Sequence, residues 1–203
     1  IFQNDNLGGT ILEILCRKAK EGVEVKLLYD GMGCLKVHKK FFAPLIKSGG
    51  KVSCFFPPFL PYINLRVNFR NHRKICTIDG KYGYIGGFNI GDEYLGLSKK
   101  FGFWRDTHLF IQGDALDALQ LHFLMDWRFA SKENSVFDDK YFPHRPHLGK
   151  TGLQIVSSGP DSTWNSIKNG YLKMISKAEK NIYIETPYFI PDDSILEALR
   201  IAS

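Results

Sequence analysis

The chain has 203 residues, 44% of them hydrophobic and 24% charged. That balance is globular and excludes a disordered or low-complexity chain. The formal net charge of +6 favours anionic partners such as phosphate esters, nucleic acid or an acidic membrane surface. No apolar run approaches the roughly 18 residues needed to span a bilayer, and no signal peptide opens the chain, so this piece reads as soluble.

In chain order, Thr10-Ile-Leu-Glu13 has the spacing of a capping box, and Ile11, Leu12, Ile14, Leu15 and Ala19 then recur as on an amphipathic helix. Val23, Val25 and Leu27 alternate as a strand that Asp30-Gly31 stops. A second helix is predicted over 37–48, ended by Gly49-Gly50, and a short strand over 51–56. The segment after it is broken by Pro57, Pro58 and Pro61 and is apolar throughout. Residues 72–79 and 82–88 read as two strands around Asp79-Gly80-Lys81, and 105–112 as a third. Asp114 is placed to cap a long helix carrying Leu116, Leu119, Phe123 and Trp127.

Residues 131–152 are polar, contain Pro143 and Pro146, and read as a linker. A strand at 153–158, a helix near 163–179, a strand at 181–186 and a last helix are expected after it. Helices alternating with strands argue for an α/β layered fold. Ser194-Ile-Leu-Glu-Ala-Leu199 repeats Thr10-Ile-Leu-Glu-Ile-Leu15 at an offset of 184 residues. The expectation is a duplicated protein of which this is a piece: a first half at 1–130 without its opening strands, the linker, and at 153–203 the start of a second half without its motif. The four cysteines, Cys16, Cys34, Cys54 and Cys76, have no C-x-x-C pairing and read as reduced thiols.

The chemistry is concentrated in Asn71-His-Arg-Lys-Ile-Cys-Thr-Ile-Asp-Gly-Lys-Tyr-Gly-Tyr-Ile-Gly-Gly-Phe-Asn89, which reads H-x-K-x4-D-x6-G-G-x-N. Two residues apart on a strand, His72 and Lys74 would share a face about 6–7 Å apart. An imidazole there can attack phosphorus while the ammonium neutralises the oxygens that gain charge. Asn89 adds a neutral donor, and Gly86-Gly87 lets backbone approach a phosphate closely. His72, Lys74 and Asp79 form the candidate catalytic set, although Asp79 at a turn and on the other strand face suggests support more than direct chemistry. His38-Lys39-Lys40 is a second H-x-K, but Leu45 stands where the Asp should be and no Gly pair follows, so His38 reads as a helix-surface residue.

The motif resembles the catalytic signature of the phospholipase D superfamily. Further segments are similar to bacterial cardiolipin synthases: Asn64-Leu-Arg-Val-Asn-Phe-Arg70, Ile90-Gly-Asp-Glu-Tyr94, Trp104-Arg-Asp-Thr-His108, Ala19-Lys-Glu-Gly-Val-Glu-Val-Lys-Leu-Leu-Tyr-Asp30 and Glu185-Thr-Pro-Tyr-Phe-Ile-Pro191.

The resemblance implies a phospholipase D-like mixed sheet flanked by helices, one half of a two-lobed architecture whose two motifs face each other. One His would form a phosphohistidine and the other would act as acid, then base. The implied reaction joins two phosphatidylglycerol molecules into cardiolipin and glycerol, with no metal or other cofactor. By resemblance His72 is the nucleophile, Lys74 and Asn89 bind phosphate, and Asp106 from the following strand is the candidate to hold the His72 ring. The alternative for Asp106 is a salt bridge with Arg105 or another arginine nearby. Arg66 and Arg70 suit an anionic headgroup or form a solvated basic face, and both readings stand. The expected partners are phosphatidylglycerol and a membrane surface, with no specific nucleic acid, and the parent protein is expected at the bacterial cytoplasmic membrane. With one motif the piece is expected to be inactive unless two chains pair their His72 sites as a homodimer. A phospholipase D-type hydrolase or nuclease using water is the alternative function.

Overall fold

A computed structural model describes residues 1–57, 70–133, 137–146, 149–160, 162–186 and 188–203. They divide into two units, Ile1–Leu153 and Gln154–Ser203.

In the first unit, helix α1 covers Asn6–Lys20. It begins a turn before the Thr10 box, because Asp5 is its cap and accepts the Gly8 N–H at 2.9 Å. Thr10, inside the helix, donates instead to the Asn6 carbonyl at 2.9 Å. Strand β1, Lys26–Asp30, pairs in parallel with β2, Lys51–Phe55, placing Tyr29 opposite Cys54. The helix expected at 37–48 is split into a 3₁₀ turn, Lys39–Phe42, and a short helix α2, Ala43–Lys47. Pro44 explains the split, since proline lacks an N–H and is tolerated only in the first turn of a helix.

The core of this unit gathers Phe2, Leu12, Val25, Leu27, Tyr29, Cys34, Phe42 and Leu45. Tyr29 stacks on Phe42 with ring centroids 4.8 Å apart. Phe42 and Leu45 are fully buried, each contributing about 2–3 kcal/mol of apolar burial.

A second sheet is antiparallel, in the order β3 (Ile75–Ile78), β4 (Tyr82–Gly86) and β5 (His108–Ile111). Among the described residues, parallel and antiparallel pairings occur in separate small sheets, and a parallel bridge joins Phe2 to Ile90 outside the named strands. Helix α3, Ala115–Ser131, packs on β2 and also on β3 and β4, with Leu116, Leu119, Leu124 and Trp127 buried along it. Within the stretch read as a linker, Tyr141 donates to both Glu24 carboxylate oxygens at 2.9 Å, and Arg145 bonds Asp117 and the Gly80 carbonyl.

The second unit holds helices α4 (Ser166–Ser176) and α5 (Asp193–Ala202), packed on each other. Asp192 caps α5, accepting the Ile195 N–H at 3.1 Å, and pairs with Lys168 at 2.5 Å. The expected strands at 153–158 and 181–186 form no ladder among the described residues. A strand is completed only by a partner that takes its N–H and C=O groups. No helix of the described residues is long and apolar enough to cross a membrane.

Candidate active site

The His72 segment does not lie on a strand. β3 begins at Ile75, so His72, Arg73 and Lys74 form the approach to it. Side chains hold this approach where a ladder was expected. The Asn71 N–H donates to Asp30 at 2.9 Å, the Arg73 N–H donates to the Asn71 side-chain oxygen at 3.1 Å, and the Asn71 amide donates to Asp126 at 2.7 Å. Arg73 clamps both oxygens of Asp126, at 2.8 and 3.0 Å, so α3 anchors the segment from one side. With the strand geometry absent, the two-residue spacing no longer aims His72 and Lys74 at one face. Instead Lys74 folds back and its ammonium donates to the His72 carbonyl at 2.7 Å.

Asp30 anchors the other side. It sits at the carboxyl end of β1, only 5% exposed, and accepts from the Gly33 N–H at 2.5 Å, the Asn71 N–H and the Arg70 guanidinium at 3.3 Å. A buried carboxylate with three donors has its charge distributed over hydrogen bonds, the condition under which burial is tolerated. Arg70 is thereby tied to Asp30, while Arg66 lies outside the described residues.

Asp79 and Gly80 form the β3–β4 turn with positive φ values of 54° and 59°, and Lys81 N–H donates to the Ile78 carbonyl at 2.9 Å. Asp-Gly is the pair that tolerates these angles. Asn89 is buried just past β4; its side chain donates to the Tyr94 hydroxyl, and its oxygen accepts from the Ile1 nitrogen at 3.1 Å. Gly87 takes the Asp106 carboxylate directly against its backbone, where a Cβ would overlap it. Gly86 lies against the Thr107 carbonyl and His108 in the same way. Asp106 precedes β5 and accepts from the Thr107 N–H at 2.7 Å and the Trp104 indole at 3.3 Å. Lys74, Asp79 and Asn89 line one cleft of about 600 Å³, together with Phe88 and His108.

The electrostatics follow this layout. The His72 imidazole is held below its ordinary pKa, first by loss of surrounding water, then by the ammonium of Lys74 and the Arg70 guanidinium, with Asp30 opposing. Lys74 is pushed down to about 8, chiefly by desolvation, against the charges of Asp106 and Asp30. Asp106 thus acts on Lys74, and the carboxylate acting on His72 is Asp30. Among the described residues no carboxylate is hydrogen-bonded to the His72 ring.

The desolvated Lys74 ammonium and the buried Asn89 amide thus share one cleft, while the His72 imidazole, with its pKa lowered, precedes Lys74 and does not line that cleft. Asp30, Asn71 and Asp126 were not picked out from sequence. An Asp-Gly pair ending an apolar strand reads as a turn, although a polar residue at the carboxyl end of a strand is also where α/β ligand sites collect.

A family model described as "Cardiolipin synthase, PLD-like domain" matches residues 3–127, and the chain belongs to that family. All of the chain aligns with proteins named cardiolipin synthase, at 58% identity in Staphylococcus aureus (strain Mu50 / ATCC 700699), 57% in Listeria welshimeri serovar 6b and 56% in Listeria monocytogenes serotype 4a (strain HCC23). It spans 41% of the length of the first of these and 42% of the other two.

Proposed function

We propose that the polypeptide containing this chain is a phosphatidyltransferase that joins two phosphatidylglycerol molecules into cardiolipin and glycerol. The observation that carries this reading is the motif from His72 to Asn89, of which Lys74 and Asn89 line one cleft while His72 lies two residues before Lys74 and outside that lining, in a chain 58% identical to a cardiolipin synthase. A ring nitrogen of His72 attacks the phosphorus of the first lipid. The P–O bond to the headgroup glycerol breaks, and glycerol leaves with a proton from an acid outside this chain. The hydroxyl of a second phosphatidylglycerol then attacks the phosphohistidine, loses its proton to the same group and frees His72. Lys74 and Asn89 hold the non-bridging oxygens in both steps. Asp79 shapes the turn beneath them, and Gly86-Gly87 brings Asp106 up to Lys74.

The acid belongs to a second motif. The repeat of the α1 sequence in α5 supports reading 153–203 as the start of a second half, after a first half at 1–130 and a connecting 131–152. One motif alone is then insufficient, and the isolated chain is inactive unless two copies join through their His72 faces. The full-length protein works at the cytoplasmic membrane, where its lipid substrate resides.

The test is to give the full-length polypeptide labelled phosphatidylglycerol and compare it with His72→Ala. Cardiolipin and free glycerol from the wild type and neither from the variant is the expected result. Phosphatidic acid in place of cardiolipin would assign water as the acceptor, and full activity in His72→Ala would remove His72 from the mechanism.

A further inference from the structure

Between β4 and β5 the chain forms a loop whose composition does not match its exposure. Leu95, Leu97, Phe101 and Phe103 are 59%, 64%, 49% and 87% exposed, four large apolar side chains within nine residues. The loop is nonetheless built. Gly96 and Gly102 both take left-handed φ, 72° and 64°, and a Cβ on Gly96 would stand 3.6 Å from the Gly102 carbonyl and 3.7 Å from the Phe103 Cα, so the two limbs meet at its base. The Gly102 N–H donates to the Ser98 carbonyl at 2.8 Å across the tip.

Charge is sorted along the same loop. Its tip carries Lys99 and Lys100 and no acid, and the Lys100 ammonium lies 5.0 Å from the Phe101 ring centroid. The acids at its start face the protein: Asp92 accepts the Leu7 N–H at 2.8 Å, and Glu93 accepts from Gln3 at 2.8 Å. The base is continuous with the candidate site, because Tyr94 bonds Asn89, Trp104 bonds Asp106, and these two rings meet edge to face with centroids 5.0 Å apart.

We propose that this loop, Leu95 to Phe103, enters the interface of an anionic phospholipid bilayer, with Leu97, Phe101 and Phe103 among the acyl chains and Lys99 and Lys100 at the phosphates. Apolar side chains ringed by lysines are the combination that binds such a surface, through buried area and headgroup attraction together. A loop rooted on Tyr94 and Trp104 would set the height of Asn89 and Lys74 above the membrane. The inference rests on the lipid reading of the site for its choice of partner, and its test reads contact without turnover.

Phe103 is replaced by p-benzoylphenylalanine in the full-length polypeptide, in vesicles of phosphatidylglycerol and phosphatidylcholine, and irradiated. The expected product is an adduct one phospholipid heavier. Its yield should fall at least fivefold in pure phosphatidylcholine, and that preference should vanish in Lys99→Gln/Lys100→Gln. A cross-link to the polypeptide itself, or to a second copy, would show the loop covered by protein and overturn the proposal, as would the absence of any adduct. The same probe at Leu97 guards against misfolding of the first variant. Lipid adducts from a protein that makes no cardiolipin would sink the proposed reaction and leave the docking loop standing.

Discussion

The backbone N–H of Asn71 donates to the buried carboxylate of Asp30 at 2.9 Å, and this bond joins the end of the parallel sheet to the residue before His72. It sets the entry of the reactive segment independently of the antiparallel ladder, which begins only at Ile75. Asp30→Asn keeps the shape, removes the charge opposite Arg70 and turns an amide toward existing donors. The expected cost is about 2 kcal/mol of stability for the unsatisfied group. A fall in kcat of roughly 10²-fold is expected from misplacing the imidazole. Asp30 also raises the His72 pKa, so the acid limb of the rate profile should move to lower pH in the variant. Denaturant titration and a pH series of kcat separate the two effects; an unmoved acid limb would confine Asp30 to a structural part.

A bell-shaped dependence of kcat/KM on pH follows from the two shifted groups. In the proposed reaction His72 attacks as the neutral imidazole, and its pKa lies below the ordinary 6.5, so the acid limb falls below that value. In the same proposal Lys74 holds phosphate as the ammonium, and with a pKa near 8 it loses its proton above that pH, so an alkaline limb begins about there. Lys74→Arg keeps the charge at all accessible pH values. It should lower the maximum and remove the Lys74 contribution near pH 8, leaving only the limb of the acid that protonates glycerol; an alkaline side identical to the wild type would assign none of it to Lys74.

Gly87→Ala drives a methyl group into the Asp106 carboxylate. Asp106 must withdraw, and with it goes one of the two negative charges that sustain the Lys74 ammonium. The alkaline limb should shift to lower pH and phosphate-ester affinity should fall several-fold, readable as KM. A variant with wild-type KM and limb would show that the contact carries no electrostatic weight.

Glu24 supplies a pH signature of its own. Burial works to raise its pKa, yet hydrogen bonds from Lys26, Lys140 and Tyr141 bring it down to about 2 from 4.5. A depressed carboxylate stabilises the fold fully above its unfolded pKa, and that contribution is lost as pH falls through the folded value. The side chain is 39% exposed, so solvent discounts the gain to about 0.5–1 kcal/mol. Glu24→Gln should unfold at a lower temperature at pH 7, and the two melting curves should converge by pH 2.

What could be read in advance divides along physical lines. The Asp79-Gly80 turn was legible because few residue pairs accept two positive φ values, and β1 and β2 because their apolar alternation is unambiguous. His72, Lys74 and Asn89 stand in the sequence as a spaced set, of which Lys74 and Asn89 line one cleft. The start of β3 was not, since nothing local distinguishes a strand from an extended segment held by Asp30 and Asp126, residues 41 and 55 positions away. The break before α2 could have been read from Pro44. The unladdered 153–158 and 181–186 show the limit of alternation, which marks a willingness to pair and does not supply a partner.

Because α3 touches β2 on one side and β3 and β4 on the other, while also carrying Asp126, it works as a shared axle for two sheets and the reactive segment. Any loosening of its packing, at Leu119 for instance, reaches the chemistry as a shift in aim before it reaches the melting curve as a loss of fold. Thermal damage to this protein should therefore be heard first in its turnover number.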